Sequence, residues 1–384
     1  MKRAPRLLYL VTEDWYFCSH RLALARAARE AGFDVTLATR VQRHGHLILE
    51  AGLDLVPLRL SRRSSNPVRE LGSLYEILAL YRRVRPDIVH HVALKPVLYG
   101  SIAAIAAGVP SVINALAGLG YIFSSRDLKA RCLRPIVKTA FRVILNRPNS
   151  HVILQNPDDR KLLALLGITG AKDSPLIRGS GADLSRYAPH PEQPGVPVVV
   201  LPARMLRDKG VEEFIEAARI LKGSGVASRF VLAGEPDPDN PASIPEARLK
   251  AWASEGVIEY WGWQEDMARV FCQAHVVCLP SYREGLPKVL IEAAASGRPI
   301  VTCDVPGCRE IVRHEQNGLL VPARDPRALA SALQRLIEDP TLRARFAEKG
   351  RAIAEAEFSQ DRTIEQTLAL YRRCQSHAHR CSAP

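Results

Sequence analysis

Two carboxylates stand eight positions apart where a short apolar segment is followed by a helical pattern. Glu284 comes after the apolar residues Val276–Leu279, which are typical of a buried parallel strand, and Glu292 lies in the helical pattern that begins at Pro287. Glu284 is therefore expected in the loop at the carboxyl end of a strand, next to backbone N–H groups that the start of a helix leaves free. Such N–H groups bind phosphate, and carboxylates accept hydrogen bonds from sugar hydroxyls. This segment therefore predicts a nucleotide-sugar site.

Two basic residues follow another predicted strand. Arg204 and Lys209 come after the apolar residues 198–201 and before a helix whose apolar positions include Phe214. Ligands of doubly wound sheets bind outside the carboxyl ends of the strands, and a guanidinium together with an ammonium can hold one diphosphate there. The alternative is a pair of solvated loop charges. The two carboxylates in the same half of the chain favour the diphosphate.

Further residues near predicted strand ends should complete this site. Gly285, Leu286 and Pro287 would allow the backbone to approach the phosphates closely. Gly234 and Trp263 each follow a predicted strand and are expected to border the base of the nucleotide. For Trp263, a place in the hydrophobic core is the alternative.

The chain resembles the retaining glycosyltransferases of family 4. Glu284 and Glu292 match the E-x7-E spacing of that family, and Arg204 and Lys209 resemble its phosphate-binding arginine and lysine. Similar segments cover nearly the whole chain, namely 19–21, 87–90, 118–123, 179–183, 302–312 and 317–322. Those in the first half look like the branch that extends lipid-linked bacterial glycans. The resemblance implies the GT-B fold, in which two Rossmann-like domains with doubly wound parallel sheets face a cleft.

The resemblance also implies a role for each residue of the site. Glu292 would bind the ribose and Glu284 the transferred sugar, while Arg204 and Lys209 would stabilise the negative charge that grows on the leaving diphosphate. Glu284, Arg204 and Lys209 are thus the predicted catalytic residues. Members of the family retain the anomeric configuration without a firmly placed protein nucleophile, so we name none.

No metal or other cofactor is expected. Asp237 and Asp239 have the Asp-x-Asp spacing with which metal-dependent transferases hold a cation, but they lie in a proline-rich loop and do not directly follow a strand. The cysteines and histidines between positions 374 and 381 lie in a polar terminal tail, which is a poor place for a metal site.

Apolar runs alternate with helical patterns along the chain, which predicts α/β domains with parallel sheets. The predicted strands are 7–11, 35–38, 55–58, 88–90, 112–114 and 152–155, followed by 198–201, 230–233, 257–261, 276–279 and 300–302. These elements predict an acceptor domain at 1–186, a proline-rich linker at 187–197 and a nucleotide-sugar domain at 198–359. The helix 360–374 should return to the first domain, as the resemblance implies.

The first domain is expected to bind the acceptor. Many members of the family carry Gly-Gly after the first strand, whereas this chain has Thr-Glu-Asp-Trp at 12–15. This departure from the family argues against a phosphate contact from this loop, and Glu13 or Asp14 would instead contact acceptor hydroxyls. The other predicted acceptor contacts are His20, His91, Lys95 and Asn114. For each histidine a structural role is an equal alternative.

The positive charge of the chain is concentrated in one half. The net charge is +13, and residues 1–190 hold 28 Lys+Arg against 14 Asp+Glu, whereas the remaining residues hold 25 and 26. A basic face toward an anionic membrane or a diphosphate-bearing acceptor would explain this asymmetry, and a generally basic proteome is the alternative.

One predicted helix is both basic and amphipathic. In the segment 128–146, basic residues recur every three or four positions, at Arg131, Arg134, Lys138 and Arg142. Its apolar side would lie either in the core or in the membrane interface.

The expected location is the cytoplasm, at the inner face of the cell membrane. No apolar stretch approaches the roughly 20 residues of a membrane span, and no signal peptide is evident before residues 7–11. The eight cysteines show no disulfide framework, which favours a reducing compartment.

These observations predict a hexosyltransferase that moves a hexose or N-acetylhexosamine from a nucleotide-diphosphate sugar, with UDP as the expected nucleotide. The expected acceptor is a lipid-diphosphate-linked glycan of capsule, O-antigen or exopolysaccharide biosynthesis. A GT-B isomerase that epimerises UDP-GlcNAc is the alternative. Nucleic-acid binding is disfavoured because the basic half lacks interleaved aromatic residues and any helix-turn-helix or zinc pattern. An NAD-dependent oxidoreductase is disfavoured because Gly118 and Gly120 lack the third glycine of the fingerprint.

Overall fold

The chain forms two compact units, Met1–Ser180 together with Thr363–Pro384, and Gly181–Arg362. We call them the first and the second unit. The structure is a computed structural model that describes residues 3–62, 66–116, 128–168 and 174–381, and all side chains in these ranges except those of 128–133 and 377–381. The family-like segment 118–123 and the side chains of Arg131, His377 and His379 therefore lie outside the description.

In the described part of the first unit, six strands and seven helices precede residue 180. The strands are β1 (Arg6–Glu13), β2 (Asp34–Arg40), β3 (Asp54–Pro57), β4 (Ile88–Val92), β5 (Ser111–Ala115) and β6 (Ser150–Ile153). The helices are α1 (Asp14–His20), α2 (Leu22–Glu30), α3 (Gly45–Glu50), α4 (Pro67–Val84), α5 (Leu94–Ala107), α6 (Leu128–Leu145) and α7 (Pro157–Leu165). The strands pair in parallel in the order β3-β2-β1-β4-β5-β6.

Both faces of this sheet are covered. Along β1, Leu7, Tyr9 and Val11 pack into one hydrophobic cluster, and Leu8 and Leu10 pack into another. Successive side chains of a strand point to opposite faces, so these two clusters are the cores above and below the sheet. A parallel sheet that is buried on both faces explains why its strands are continuous apolar runs in the sequence.

Local sequence signals explain the bounds of α4. Asn66 accepts a hydrogen bond from the backbone N–H of Val68 at 3.0 Å, and Pro67 takes the first helical position. The helix ends where Arg85 adopts a left-handed conformation, with φ of 49°, directly before Pro86.

The second unit repeats the strand order of the first. Its strands are β7 (Val198–Pro202), β8 (Arg229–Ala233), β9 (Glu259–Gly262), β10 (Val276–Leu279), β11 (Ile300–Cys303) and β12 (Gly318–Val321). They pair in parallel in the order β12-β11-β10-β7-β8-β9. A 3-10 turn (Arg207–Lys209) precedes the helices α8 (Val211–Gly223), α9 (Glu246–Ser254), α10 (Met267–Gln273), α11 (Lys288–Ala295), α12 (Cys308–Ile311), α13 (Pro326–Glu338) and α14 (Pro340–Glu357). Two doubly wound parallel sheets are the architecture that was predicted, and only the edge strand β12 was missed.

The proline-rich segment 187–197, predicted to be a linker, belongs to the second unit. Tyr187 is buried in the core of that unit, and Gln193 accepts a hydrogen bond from Nε2 of His275 at 2.9 Å through its carbonyl. Glu192 forms an ion pair with Arg343 at 2.8 Å. The segment packs against the rest of the second unit despite its prolines, so a high proline content did not mark the boundary between the units.

The last helix, α15 (Gln360–Cys381), continues from the second unit into the first. Leu370, Tyr371 and Cys374 pack in the core of the first unit, and the hydroxyl groups of Tyr371 and Tyr9 lie 2.8 Å apart. Among the residues with a described structure, no helix is both long and apolar enough to cross a bilayer.

Candidate donor site at the carboxyl ends of the strands

The predicted donor-binding residues all lie in the second unit, on segments that follow its strands. Arg204 follows β7 and Glu284 follows β10, and these two strands are neighbours at the point where the strand order reverses. A crevice forms outside the carboxyl ends of the strands at such a switch point. The fold therefore brings together two segments that are far apart in sequence.

Lys209 and Glu284 form an ion pair at this point. Nζ of Lys209 donates a hydrogen bond to Oε1 of Glu284, and the two side chains are 21% and 11% exposed. Gly210 has a positive φ of 72°, and a Cβ at this position would lie 2.2 Å from the carbonyl oxygen of Pro280. A glycine is therefore required for the lysine-bearing turn to approach the glutamate-bearing loop.

Arg204 also has an acidic partner. Its Nη1 donates to Oδ2 of Asp237 at 2.5 Å, and the Asp237 side chain is largely buried. Oδ1 of Asp237 accepts a hydrogen bond from the backbone N–H of Asp239. The loop with the Asp-x-Asp spacing thus orients the arginine, a role that its sequence did not predict. Within the described ranges, the structure contains no group of three or more side chains that could hold a metal ion.

Glu292 is buried inside the second unit. It lies in α11 and forms an ion pair with Lys288 at 2.6 Å. It also hydrogen-bonds with Tyr187, and burial together with the charge of Glu292 raises the pKa of the Tyr187 phenol. Glu292 is therefore not an ordinary solvent-exposed residue of the helix. Tyr187 was not predicted because it stands more than a hundred residues before Glu292, in the segment predicted to be a linker.

The predicted glycines are at points of close backbone approach. Gly234 has φ of 151°, its N–H donates to the carbonyl of Gly262 at 2.8 Å, and a Cβ would lie 1.9 Å from the carbonyl oxygen of Ala203. A Cβ on Gly307 would lie 2.5 Å from the carbonyl oxygen of Gly285. The backbones that follow β7, β8, β10 and β11 therefore approach too closely for side chains at Gly234 and Gly307.

The other residues predicted for the donor site differ in exposure and position. Trp263 is 61% exposed, which rules out a place in the core and leaves its ring on the surface after β9. Leu286 is buried, and Pro287 is the N-cap of α11, one residue before the helix itself. The helix therefore starts next to Glu284, as its sequence predicted.

In the first unit, Glu13 has two basic partners. This buried carboxylate pairs with Arg40 at 3.3 Å and with Arg62 at 3.0 Å. Lys95 pairs with Glu70 at 2.8 Å. Glu13 and Arg40 are the last residues of β1 and β2, and Lys95 lies in α5 after β4. The contact of Glu13 and Lys95 with an acceptor stays a prediction.

Asp14 has a structural role in this unit. It is fully buried, and its Oδ2 accepts hydrogen bonds from the backbone N–H groups of Gln42, Arg43 and His44 at 2.7, 3.0 and 2.9 Å. A carboxylate that is engaged in this way holds the loop after β2 and is not positioned to contact a hydroxyl of an acceptor.

His91 and Asn114 are also parts of the core. Nδ1 of His91 lies 2.8 Å from Oδ1 of Asn114, and Nε2 lies 2.9 Å from the hydroxyl of Tyr81. Both residues are fully buried, and burial lowers the pKa of His91 to about 4. Their predicted contact with an acceptor is therefore not supported, because strands covered on both faces have no side that reaches solvent. His20, in contrast, is partly exposed and stacks on Tyr16 with 4.2 Å between ring centroids.

Each unit matches a model of a glycosyltransferase family. Residues 6–147 match the model "Glycosyl transferase 4-like" and residues 196–339 match "Glycosyl transferases group 1". Together these two matches cover about three quarters of the chain.

Two curated relatives are similar over most of their length. The N,N'-diacetylbacillosaminyl-diphospho-undecaprenol alpha-1,3-N-acetylgalactosaminyltransferase of Campylobacter jejuni is 25% identical over 92% of this chain and 94% of its own. The UDP-Gal:alpha-D-GlcNAc-diphosphoundecaprenol alpha-1,3-galactosyltransferase of Escherichia coli is 24% identical over 73% of this chain and 74% of its own. Both are glycosyltransferases, which gives no support to the epimerase alternative.

Among solved structures, HepE of Anabaena in complex with UDP and glucose superposes with a TM-score of 0.76. The match covers 95% of this chain and 99% of that one at 18% identity, and so it bears on the fold alone. The two family matches, the doubly wound sheets and the residues at their switch point agree with one another, and the chain therefore belongs to the family 4 glycosyltransferases of the GT-B fold.

Proposed function

We propose that this enzyme transfers a hexose or N-acetylhexosamine from a UDP-sugar to a lipid-diphosphate-linked glycan, with retention of the anomeric configuration. The relatives named above act on diphospho-undecaprenol acceptors, and the name of one specifies UDP-galactose. The observation that carries the proposal is the Lys209–Glu284 pair at the switch point of the second unit, with Arg204 on the adjacent strand end. Capsule, O-antigen or exopolysaccharide assembly is the proposed setting.

The basic residues would act on the leaving group. Departure of UDP places negative charge on the diphosphate, and Arg204 and Lys209 can stabilise that charge together with the free N–H groups at the start of α11. Both cations are held by carboxylates of the protein, Asp237 and Glu284, so they are oriented before the donor arrives. Loss of one preorganised donor of this kind typically lowers turnover by about 100-fold or more.

The two carboxylates would recognise the sugars. Glu284 would accept hydrogen bonds from hydroxyls of the transferred sugar, and Glu292, which is held by Lys288 and Tyr187, from those of the ribose. Gly234 and Trp263 would border the base, and the backbone of Gly285, Leu286 and Pro287 would approach the phosphates.

We further propose that the reaction needs no metal ion. A cation bridging the diphosphate would compete with Arg204 and Lys209 for the same oxygens, and Asp237 already accepts from Arg204. In the first unit, Glu13, Lys95 and His20 remain the candidates for acceptor contacts.

A thermal-shift experiment tests the donor assignment. The full chain is heated with UDP, GDP or ADP and with UDP-glucose, UDP-galactose, UDP-GlcNAc or UDP-GalNAc, each with and without EDTA. A ligand at a hundredfold excess over its Kd stabilises by about 2.7 kcal/mol. Stabilisation by UDP and one UDP-sugar that EDTA leaves unchanged is expected, whereas no response to any nucleotide would contradict the proposal.

Peripheral membrane binding through the first unit is part of the proposal. On α4, Val68, Leu71 and Tyr75 are 77%, 68% and 72% exposed, at the spacing of one helical face. Helix α4 packs against α5 and α5 packs against α6, where Ile136 and Val143 are also exposed. We call these five residues the apolar face of the first unit.

The outer layer of α4, α5 and α6 explains the amphipathic pattern of α6. Phe141, Ile144 and Leu145 pack in the core, whereas Ile136 and Val143 point outward. The core alternative thus holds for most of its apolar side. An anionic bilayer is the proposed occupant of the apolar face, because the first half of the chain carries the whole excess of positive charge.

Vesicle sedimentation tests this part. The full chain should bind vesicles of phosphatidylethanolamine and phosphatidylglycerol, and bind less with phosphatidylcholine alone or at high salt. The double variant Leu71→Ser/Tyr75→Ser should bind roughly 30-fold less, because burying two such side chains contributes about 2 kcal/mol. Leu165→Ser, which changes an even more exposed leucine on α7, is the control. Equal binding by both variants would contradict the assigned face.

A further inference from the structure

Tyr282 joins the two segments that carry the Lys209–Glu284 pair. Its backbone N–H donates to the carbonyl of Asp208 in the lysine-bearing turn at 3.0 Å. Its hydroxyl donates to Oε1 of Glu213, in the first turn of α8, at 2.5 Å. The tyrosine itself stands two positions before Glu284. One residue of the glutamate-bearing loop is thus bonded twice to the lysine-bearing segment.

The surroundings of Tyr282 keep its ring in one place. The guanidinium of Arg324 lies over the ring, 4.5 Å from its centroid. Burial, followed by the hydrogen bond and charge of Glu213, raises the pKa of the phenol, so it remains a donor at physiological pH. The second oxygen of Glu213 is buried and has no hydrogen-bond partner among the described residues.

Donor binding would affect the Lys209–Glu284 bond and the two hydrogen bonds of Tyr282 differently. If Lys209 binds the diphosphate and Glu284 binds the sugar, their mutual hydrogen bond must weaken. The two bonds of Tyr282 use neither of these side chains and can persist while the donor is bound. These two bonds would then hold the lysine-bearing turn and the glutamate-bearing loop at a fixed distance from each other during the reaction.

We propose that Tyr282 and Glu213 form a positioning clamp for the catalytic pair Lys209 and Glu284. This inference rests on the proposed function, because the clamp acts through residues that are assigned there to the donor. Neither Tyr282 nor Glu213 touches the reacting atoms in this assignment. Their effect is on the geometry of the pair, and small displacements of catalytic groups lower turnover strongly.

The test compares four variants of the full chain. Tyr282→Phe and Glu213→Ala each remove one half of the side-chain bond, Glu213→Gln keeps an oxygen acceptor, and Tyr282→Phe/Glu213→Ala combines the two losses. Tyr371→Phe, which removes the buried hydroxyl that contacts Tyr9 and His90 in the first unit, is the control for loss of a tyrosine hydroxyl elsewhere. The measurements are kcat and KM for the UDP-sugar with an undecaprenyl-diphosphate-linked GlcNAc acceptor, the Kd for UDP by calorimetry, and the melting temperature.

A clamp predicts a pattern that a merely structural bond does not. Tyr282→Phe and Glu213→Ala should each lower kcat by about 10-fold or more, with a change of less than about 3-fold in the Kd for UDP, because Arg204 still holds the diphosphate. Glu213→Gln should restore kcat to near the wild-type value. The double variant should be no slower than the slower single variant, because both act on one interaction. Tyr371→Phe should lower the melting temperature and leave kcat unchanged.

Two results overturn the clamp. One is wild-type kcat in Tyr282→Phe and Glu213→Ala despite lower melting temperatures, and the other is additive losses in the double variant. An unmodified enzyme that neither binds UDP nor transfers sugar would overturn the proposed function and the clamp together. Failure of the clamp alone is recognised by an active wild-type enzyme.

Discussion

The Lys209–Glu284 pair should stabilise the second unit as well as serve its chemistry. Opposite charges about 4 Å apart attract by about 4 kcal/mol at an effective dielectric constant of 20. The cost of removing both groups from water offsets part of this, and Lys209 remains 21% exposed, so a coupling energy of about 2 kcal/mol is expected. Lys209→Met should lower the free energy of unfolding by about 2 to 3 kcal/mol, because it leaves the largely buried carboxylate of Glu284 without its cation.

Adding Glu284→Gln to Lys209→Met should restore most of the stability. A neutral amide needs hydrogen bonds but no counter-ion, so the double variant should come within about 1 kcal/mol of the wild type. It should nevertheless be inactive, because both proposed ligands of the donor are lost. The double variant would thus be nearly as stable as the wild type and yet inactive.

Urea unfolding at pH 7.5, followed by tryptophan fluorescence, measures this effect. Three of the four tryptophans, Trp252, Trp261 and Trp263, lie in the second unit, so the signal reports mainly on that unit. The exposed pair Arg219–Glu255, at 2.7 Å, is the control, and its double-mutant cycle should give less than about 1 kcal/mol. A coupling energy for Lys209 and Glu284 no larger than that of the control would refute the reasoning.

Three further predictions concern stability. Gly234→Ala should destabilise the second unit by about 3 kcal/mol or more in the same urea assay, because its Cβ would lie 1.9 Å from the carbonyl oxygen of Ala203. Gly223→Ala is the control and should be neutral or slightly stabilising, because no atom lies within 4 Å of its Cβ. Lowering the pH from 7.5 to 5.5 should destabilise the first unit by up to about 3 kcal/mol. Burial lowers the pKa values of His90 and His91 in the folded protein, so the unfolded chain binds protons in this range that the folded chain does not. A urea midpoint that stays constant over this range would contradict the prediction. Asp14→Ala should destabilise the first unit by about 3 kcal/mol, because three backbone N–H groups lose their hydrogen bonds to this carboxylate. A change below about 1 kcal/mol in the free energy of unfolding would show that the loop after β2 does not depend on Asp14.

The sequence was sufficient for the sheets and for the place of the donor site. Strands buried on both faces are uninterrupted apolar runs, and eleven of the twelve observed strands could be predicted from them. The missed strand, β12, is a four-residue edge strand that begins at Gly318, where glycine and short length weaken the pattern. Glu284 and Arg204 could be placed because strand ends of parallel sheets meet at one edge.

The partners of the site residues could not be predicted. Asp237 for Arg204 and Tyr187 for Glu292 come from distant segments, and nothing local in their sequence marks them as partners. The acceptor side illustrates a second difficulty. His91 and Asn114 stand near strand ends, as binding residues often do, but the pleat of the sheet turns their side chains into the core.

Transfer of labelled sugar tests the central claim most directly. The full chain would be incubated with each radiolabelled UDP-hexose and UDP-N-acetylhexosamine, an undecaprenyl-diphosphate-linked GlcNAc acceptor and EDTA, and the lipid product would be extracted and its anomeric linkage read by NMR. The account predicts one preferred donor, an α-linked product and a loss of about 100-fold or more in Glu284→Gln, whose fold remains intact. A wild-type level of transfer by Glu284→Gln, or an inverted linkage, would contradict it.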